Sequence, residues 1–228
     1  MTVLRRAFRE NSLTIVFGAA FLAALGGQAV AGHALLNQQQ LAAGLEPVSL
    51  WQYLTSSDFG VDVTENWQSE YLQFFLYIYG TVWLVQRGSP ESKPVDAAGP
   101  GSDEQQRAGP YAGPDSPRWA RLRGFRLGVY SHSLSLAMGS IFLASWFAQS
   151  ITGVVAYNEE QLSQLEPPLT WHEYLGSPDF WSRTLQNWQS ELLALVSMAV
   201  LAIYLRERGS PESKPLGAAH HHATGETG

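Results

Sequence analysis

The sequence predicts an all-α membrane protein. The expected fold is a four-transmembrane-helix bundle made of two tandem, parallel helix–loop–helix repeats, with short interfacial helices in the outer loops. Three observations carry this expectation. The stretches from Asn11 to Leu45 and from Leu127 to Asn158 contain no Asp, Glu, Lys or Arg. Two further apolar runs end at Arg87 and Arg206. The second half of the chain also repeats the first at a spacing of 121 residues, the distance from Asn66 to Asn187.

A membrane span needs about 20 apolar residues. Each uncharged stretch therefore predicts one helix, near 13–35 in the first repeat and 134–156 in the second. The later runs predict helices near 67–86 and 187–206, each reaching the needed length by admitting one acid, Glu70 or Glu191. Repeat A is placed at 1–94 and repeat B at 118–215. Between them, 95–117 is rich in Gly, Pro and acids, the composition of a disordered linker. The tail, 216–228, is polar and expected to be mobile. Arg118 to Arg123 interleaves basic and apolar residues, which suits a segment lying on anionic headgroups. The N-terminus also reads as a signal peptide, with Arg5, Arg6 and Arg9 before an apolar core and the triplet Ala29-Val30-Ala31. The internal repeat opposes that reading, because the third helix is the counterpart of the first and cannot be a leader.

Orientation follows from the basic residues. All the lysines and arginines except Arg183 lie at the termini, after the second helix or in the central linker. These segments are therefore expected on the cytoplasmic side. Arginine far exceeds lysine, and alanine and glycine are abundant, as in proteins of GC-rich bacteria. Charged residues make up 15% of the chain, and the mean hydropathy of −0.10 averages apolar segments with very polar connections. The net charge of −6 argues against a nucleic-acid partner. With no cysteine, disulfides, thiolate metal sites and cysteine nucleophiles are excluded. No P-loop, Gly-x-Ser-x-Gly or His-Glu-x-x-His motif is found, so no catalytic set, cofactor or metal is expected.

The repeat supplies the candidate residues. Gln28, Gly32, Asn37, Gln40 and Leu41 match Gln149, Gly153, Asn158, Gln161 and Leu162. Between Leu41 and Ser56 the match slips by one residue and recovers. A stripe of small residues, Ala19, Ala23, Gly27 and Ala31, has partners in Ser140, Ala144, Ala148 and Thr152 and is expected to form a helix-packing seam. Asn66-Trp67-Gln68-Ser69-Glu70 recurs as Asn187-Trp188-Gln189-Ser190-Glu191. Its tryptophans fit an outer aromatic belt. Its acids lie about one turn or slightly more inside the boundary, where an ionisable residue raises a functional hypothesis. Gln28 and Gln149 fall at a similar depth, so Gln28, Glu70, Gln149 and Glu191 form a candidate polar cluster for a cation, an amine or a lipid headgroup. Asn37-x-x-Gln40 and Asn158-x-x-Gln161 fit capping boxes opening the interfacial helices, and Thr170-x-x-Glu173 is another.

Arg87 to Pro94 recurs without change as Arg208 to Pro215. Arg, Gly and Pro read as a helix stop, but that does not account for the identity of all eight residues. Arg87, Glu91, Lys93, Arg208, Glu212 and Lys214 are therefore candidate cytoplasmic docking residues. His220-His221-His222 is read as an incidental feature of the tail.

Three of these segments also carry a resemblance: Gly27 to His33 (GQAVAGH), Glu65 to Glu70 (ENWQSE) and Gln86 to Pro94 (QRGSPESKP). The chain resembles, over nearly its whole length, an uncharacterised family of small bacterial integral membrane proteins known as a domain of unknown function. The resemblance implies a bacterial plasma-membrane location and supplies no activity or cofactor. The expected function is that of a non-enzymatic scaffold or accessory subunit, with the lipid bilayer and a protein partner or a second copy as its surroundings. The alternative is a protein that binds or transports a small solute, cation or lipid headgroup through the Glu/Gln cluster.

Overall fold

The computed structural model describes residues 3–222. Among these residues the fold is all-helical, with no strand. Its α-helices are α1 (Val3–Glu10), α2 (Ser12–Ala42), α3 (Leu50–Leu54), α4 (Ser57–Gly80), α5 (Phe125–Ser131), α6 (Ser133–Ser163), α7 (Trp171–Leu175) and α8 (Pro178–Tyr204). Under the sequence spacing from Asn66 to Asn187, α2 corresponds to α6 and α3 to α7 end for end, and the start of α4 to that of α8. The 95–117 segment, expected to be without structure, carries short 3-10 turns at Val95–Ala97 and Gly109–Tyr111, and a further one follows at Arg118–Arg121.

Helices α2 and α6, each 31 residues, are long and apolar enough to cross a membrane. At helical rise each measures about 46 Å, against a hydrocarbon core of about 30 Å. The apolar surface of α2 is uncovered: none of its most apolar window is buried, and Leu13, Phe17 and Leu22 are each about two-thirds exposed or more. Among the described residues, α4 and α8 do not meet the same measure. They begin well before the predicted 67–86 and 187–206 and end at Gly80 and Tyr204. The early starts have a local cause. Ser56 Oγ accepts the Phe59 N–H at 3.3 Å, and Ser177 Oγ accepts the Phe180 N–H at 3.2 Å, with Pro178 at the first helical position. The added turns bring Asp58, Asp62 and Glu65 into α4, and Asp179 and Arg183 into α8.

The described residues fold as two compact units, one of residues 3–63 and 152–168, the other of 64–151 and 169–222. In the first unit, α2 ends in a Schellman turn: Leu45 N–H donates to Gln40 O and Gly44 N–H to Leu41 O, with Gly44 at φ +75°. The end of α6 repeats it, with Glu166 on Gln161 O, Leu165 on Leu162 O, and Leu165 at φ +61°. The backbone register is thus unbroken where the residue match slips. Asn37 and Asn158 lie inside α2 and α6, so neither opens a helix. Asn37 instead pins the returning chain: its Oδ1 accepts the Val48 N–H at 2.7 Å, and its Nδ2 donates to Val48 O at 3.0 Å. His33 Nε2 lies 2.7 Å from the same carbonyl. The capping box that opens α3 is Ser49-x-x-Gln52; Thr170-x-x-Glu173 opens α7 as expected. Tyr53 of α3 is buried against Phe59 and over Gly32, where a Cβ would collide with the phenol oxygen. A glycine is required there by this close approach.

The second unit holds the equivalent arrangement around α7. Tyr174 is fully buried against Phe180 and donates to Asp179 Oδ2 at 3.0 Å. Burial and the Asp179 carboxylate push its phenol well above the ordinary range. Arg183, the cation that departs from the orientation pattern, is neutralised by Asp179 at 3.3 Å and Glu65 at 3.4 Å.

The small-residue stripe lies mostly on exposed surface of α2 and α6. Ala19, Ala23, Gly27 and Ala31 are exposed, as are Ser140 and Ala144; Ala148 and Thr152 are half-buried. Close approach occurs elsewhere, at Gly32, at Gly60 against Thr152, and at Gly139 against Phe75.

Candidate functional site

Two constellations of polar side chains stand out, both in the second unit. The first surrounds the repeated Asn-Trp-Gln-Ser-Glu. Identical sequences are used differently in the two copies. In the first, Trp67 is exposed while Gln68 and Ser69 are buried. In the second, Trp188 is half-buried while Gln189 and Ser190 are exposed. Trp188 therefore does not join an exposed belt. Its Nε1 donates to Gln68 Oε1 at 2.7 Å. Its ring packs on Trp146 and Phe142, with centroids 5.6 and 6.3 Å apart. Trp146 Nε1 in turn reaches Thr184 Oγ1 at 3.4 Å, and Trp171 Nε1 donates to Ser150 Oγ at 3.0 Å. Each indole thus buries apolar area and keeps its N–H paired.

The predicted polar residues fall around this cluster unevenly. Gln149 is fully buried, as is Gln68, which the sequence reading did not single out. Glu70 is exposed and Glu191 half-buried. Gln28 is half-buried on α2, in the other unit. Among the described residues no group of acids and histidines has the geometry to hold a metal ion.

The second constellation is the pair of octapeptides. Both copies fold into one turn with the same hydrogen bonds. Gln86 N–H donates to Ser92 Oγ at 2.8 Å, and Glu207 N–H to Ser213 Oγ at 2.9 Å. Glu91 and Glu212 N–H donate to Ser89 and Ser210 Oγ, both at 3.2 Å. Gly88 and Gly209 take left-handed conformations, φ +81° and +85°. Lys93 Nζ donates to Gly99 O, and Lys214 Nζ to the equivalent His220 O at 3.1 Å. The shared turn accounts for Gly, both serines and Lys, which the helix-stop reading left unexplained.

The two turns also touch. Lys214 is buried, and its Nζ donates to Gly88 O in the other copy at 2.6 Å, as well as to the Ala219 and His222 carbonyls. Glu91 meets Glu212, and burial together with that neighbouring carboxylate raises the Glu91 pKa above the ordinary range. Of the six expected docking residues, Lys214 is thus committed to internal bonds, Lys93 is engaged at Gly99, and Arg87 and Arg208 remain exposed.

Comparison with curated proteins and with solved structures finds no match. A family model described as Domain of unknown function (DUF6766) matches residues 4–226, and the chain belongs to that family.

Proposed function

We propose that this chain is a four-span integral protein of the bacterial cytoplasmic membrane, a tandem repeat with both termini and the central linker cytoplasmic, acting as a non-enzymatic scaffold or accessory subunit. The observation that carries the membrane reading is the bare apolar surface of α2, a 31-residue helix with none of its most apolar window buried. Such a surface needs lipid or a partner to cover it. The four-span reading adds α4 and α8. At 24 and 27 residues they measure about 36 and 40 Å, long enough to cross. Their acids lie mostly in the first half, which on this reading stands in or above the outer interface. The scaffold reading rests on the paired turns, whose hydrogen bonds present Arg87 and Arg208 on a built surface.

Topology mapping tests the spans. The chain lacks cysteine, so single cysteines report position without background. With four spans, D103C in the linker is labelled by a membrane-impermeant maleimide only after the cells are opened, and E166C is labelled in intact cells. With α2 and α6 as the only spans the two results exchange, and the four-span reading fails.

A second reading, solute, cation or headgroup binding in the outer leaflet, is favoured by the half-buried Glu191 and the fully buried Gln149. It requires that E70Q and E191Q change thermal stability or a lipid or ion retained in native mass spectrometry; unchanged behaviour in both removes it.

A further inference from the structure

A cavity of about 570 Å³ opens beside the first octapeptide, lined among others by Arg87, Gly88, Lys93, Asp96, His221 and His222. A second, about 400 Å³, lies at the same place on the second octapeptide, where Arg208, Gly209 and Lys214 stand for Arg87, Gly88 and Lys93. The duplicated turn therefore builds two clefts, and they differ in charge. In the second, Glu207 joins the wall and the Lys214 ammonium is spent on carbonyls. In the first, an arginine, a lysine and two histidines face a single acid, Asp96.

The surroundings of the first cleft are short of anions. Among the described residues none of Arg87, Lys93, Arg206 or Lys214 forms an ion pair. Arg206 is held by the carbonyls of Ala202, Ile203, Leu205 and Ala218, and its Nε is buried without an acceptor. Lys214, sealed under Gly88, is pushed below its ordinary pKa by burial and by the charge of Arg206. Glu91 does little to offset these cations, because burial and the Glu212 carboxylate disfavour its ionisation. Uncompensated positive charge beside a cavity is the condition under which an anion binds with gain.

We propose that this first cleft binds a phosphate group, with Arg87, Lys93, His221 and His222 as its donors. The donor set selects phosphate over a carboxylate. A guanidinium fork, an ammonium and two imidazoles offer more N–H groups than two carboxylate oxygens accept, and they suit the several oxygens of a phosphate. The phosphate belongs either to a lipid headgroup or to a soluble phosphate compound, and the chemistry at the cleft is shared. The inference goes beyond the scaffold reading and does not depend on the number of spans.

The test uses the full chain in detergent. Inorganic phosphate is titrated by calorimetry, and short-chain phosphatidic acid and phosphatidylcholine are titrated by native mass spectrometry. Two exposed-arginine variants are compared, R87Q inside the cleft and R208Q at the equivalent position in the other copy, with circular dichroism to verify the fold. Binding of inorganic phosphate identifies a soluble source. Binding of phosphatidic acid without inorganic phosphate identifies a lipid headgroup. In either case R87Q weakens binding by about tenfold, the loss of one charge-assisted contact, and R208Q does not. The proposal is overturned if none of the three probes binds, or if R87Q and R208Q weaken binding equally.

Discussion

The indole of Trp188 donates to the carboxamide oxygen of Gln68 at 2.7 Å, so two copies of one pentapeptide meet through residues that are not equivalents of each other. Gln68 is fully enclosed, and its Nε2 is without a partner among the described residues. Replacing Trp188 by Phe keeps most of the packing on Trp146 and Phe142 but leaves the Gln68 oxygen buried and unpaired. The expected loss is about 1–3 kcal/mol of unfolding free energy. The same change at exposed Trp67 costs at most about 0.5 kcal/mol. Denaturation of both variants in detergent, followed by far-UV circular dichroism, checks this. Equal losses would mean that the two motifs are used alike.

The acidic pair gives a pH dependence of fixed sign. The folded chain binds the Glu91 proton more tightly than the unfolded chain, because burial and Glu212 oppose ionisation. Stability is therefore lost as pH rises from the ordinary carboxylate range through the raised Glu91 value, and regained on acidification. E212Q removes the neighbouring charge and should raise the melting temperature at neutral pH, while leaving it near the wild-type value at acid pH. The gain should stay below about 1 kcal/mol, since the pair is partly solvated. Melting curves across the acid-to-neutral range read it directly, and a larger gain at acid pH would have the wrong sign.

Lys214 is the bolt between the two turns. Substituting Met preserves the stem and removes the three ammonium N–H donors that the carbonyls of Gly88, Ala219, His220 and His222 share. The expected cost is about 3 kcal/mol, unless the tail releases and the carbonyls find water. In either case amides near Gly88 and Ala219 lose hydrogen-exchange protection. The matching K93M breaks one bond, to Gly99, and should be milder.

How much of this was legible in the sequence depends on which residues carried the signal. The uncharged runs fixed α2 and α6 to within a residue or two at their starts, because a charge-free stretch of that length has few alternatives. The helices α4 and α8 start about ten residues before the predicted positions, because Asp58, Asp62, Glu65, Asp179 and Arg183 mask the helical pattern in the hydropathy. Asn37 and Asn158 looked like caps because asparagine with Gln three residues on is the same sequence signal whether it starts a helix or braces a loop. The repeated octapeptide announced its importance, and its serines and glycines are now seen to hold one turn twice. The inward turn of Trp188 and the outward turn of Trp67 had no signal at all, since identical motifs differ only in what packs against them. The cleft at Arg87 was equally hidden, because it needs histidines that lie far along the chain.

The slip between Leu41 and Ser56 places different residue types at equivalent backbone positions of the two turns. The Schellman turn that closes α2 places Gly44 at φ +75°, and the turn that closes α6 places Leu165 at φ +61°. Aligning residue types sets Leu45-Glu46-Pro47 against Leu165-Glu166-Pro167, one residue out of step with the backbone, whose hydrogen bonds keep the constant spacing. A leucine in the left-handed region costs about 1–2 kcal/mol, and Leu165 recovers little of it by burial, being 95% exposed. L165G should therefore stabilise the chain by about 1 kcal/mol, the steric relief less the added freedom of the unfolded glycine. G44L should destabilise it by about 1–2 kcal/mol. Thermal unfolding of the two single variants and of the double exchange gives the signs. Opposite signs are expected, and the double variant measures whether the two turns act independently, in which case the changes add within about 0.5 kcal/mol. A loss of stability in L165G would show that the Leu165 side chain is held by a contact outweighing its backbone strain.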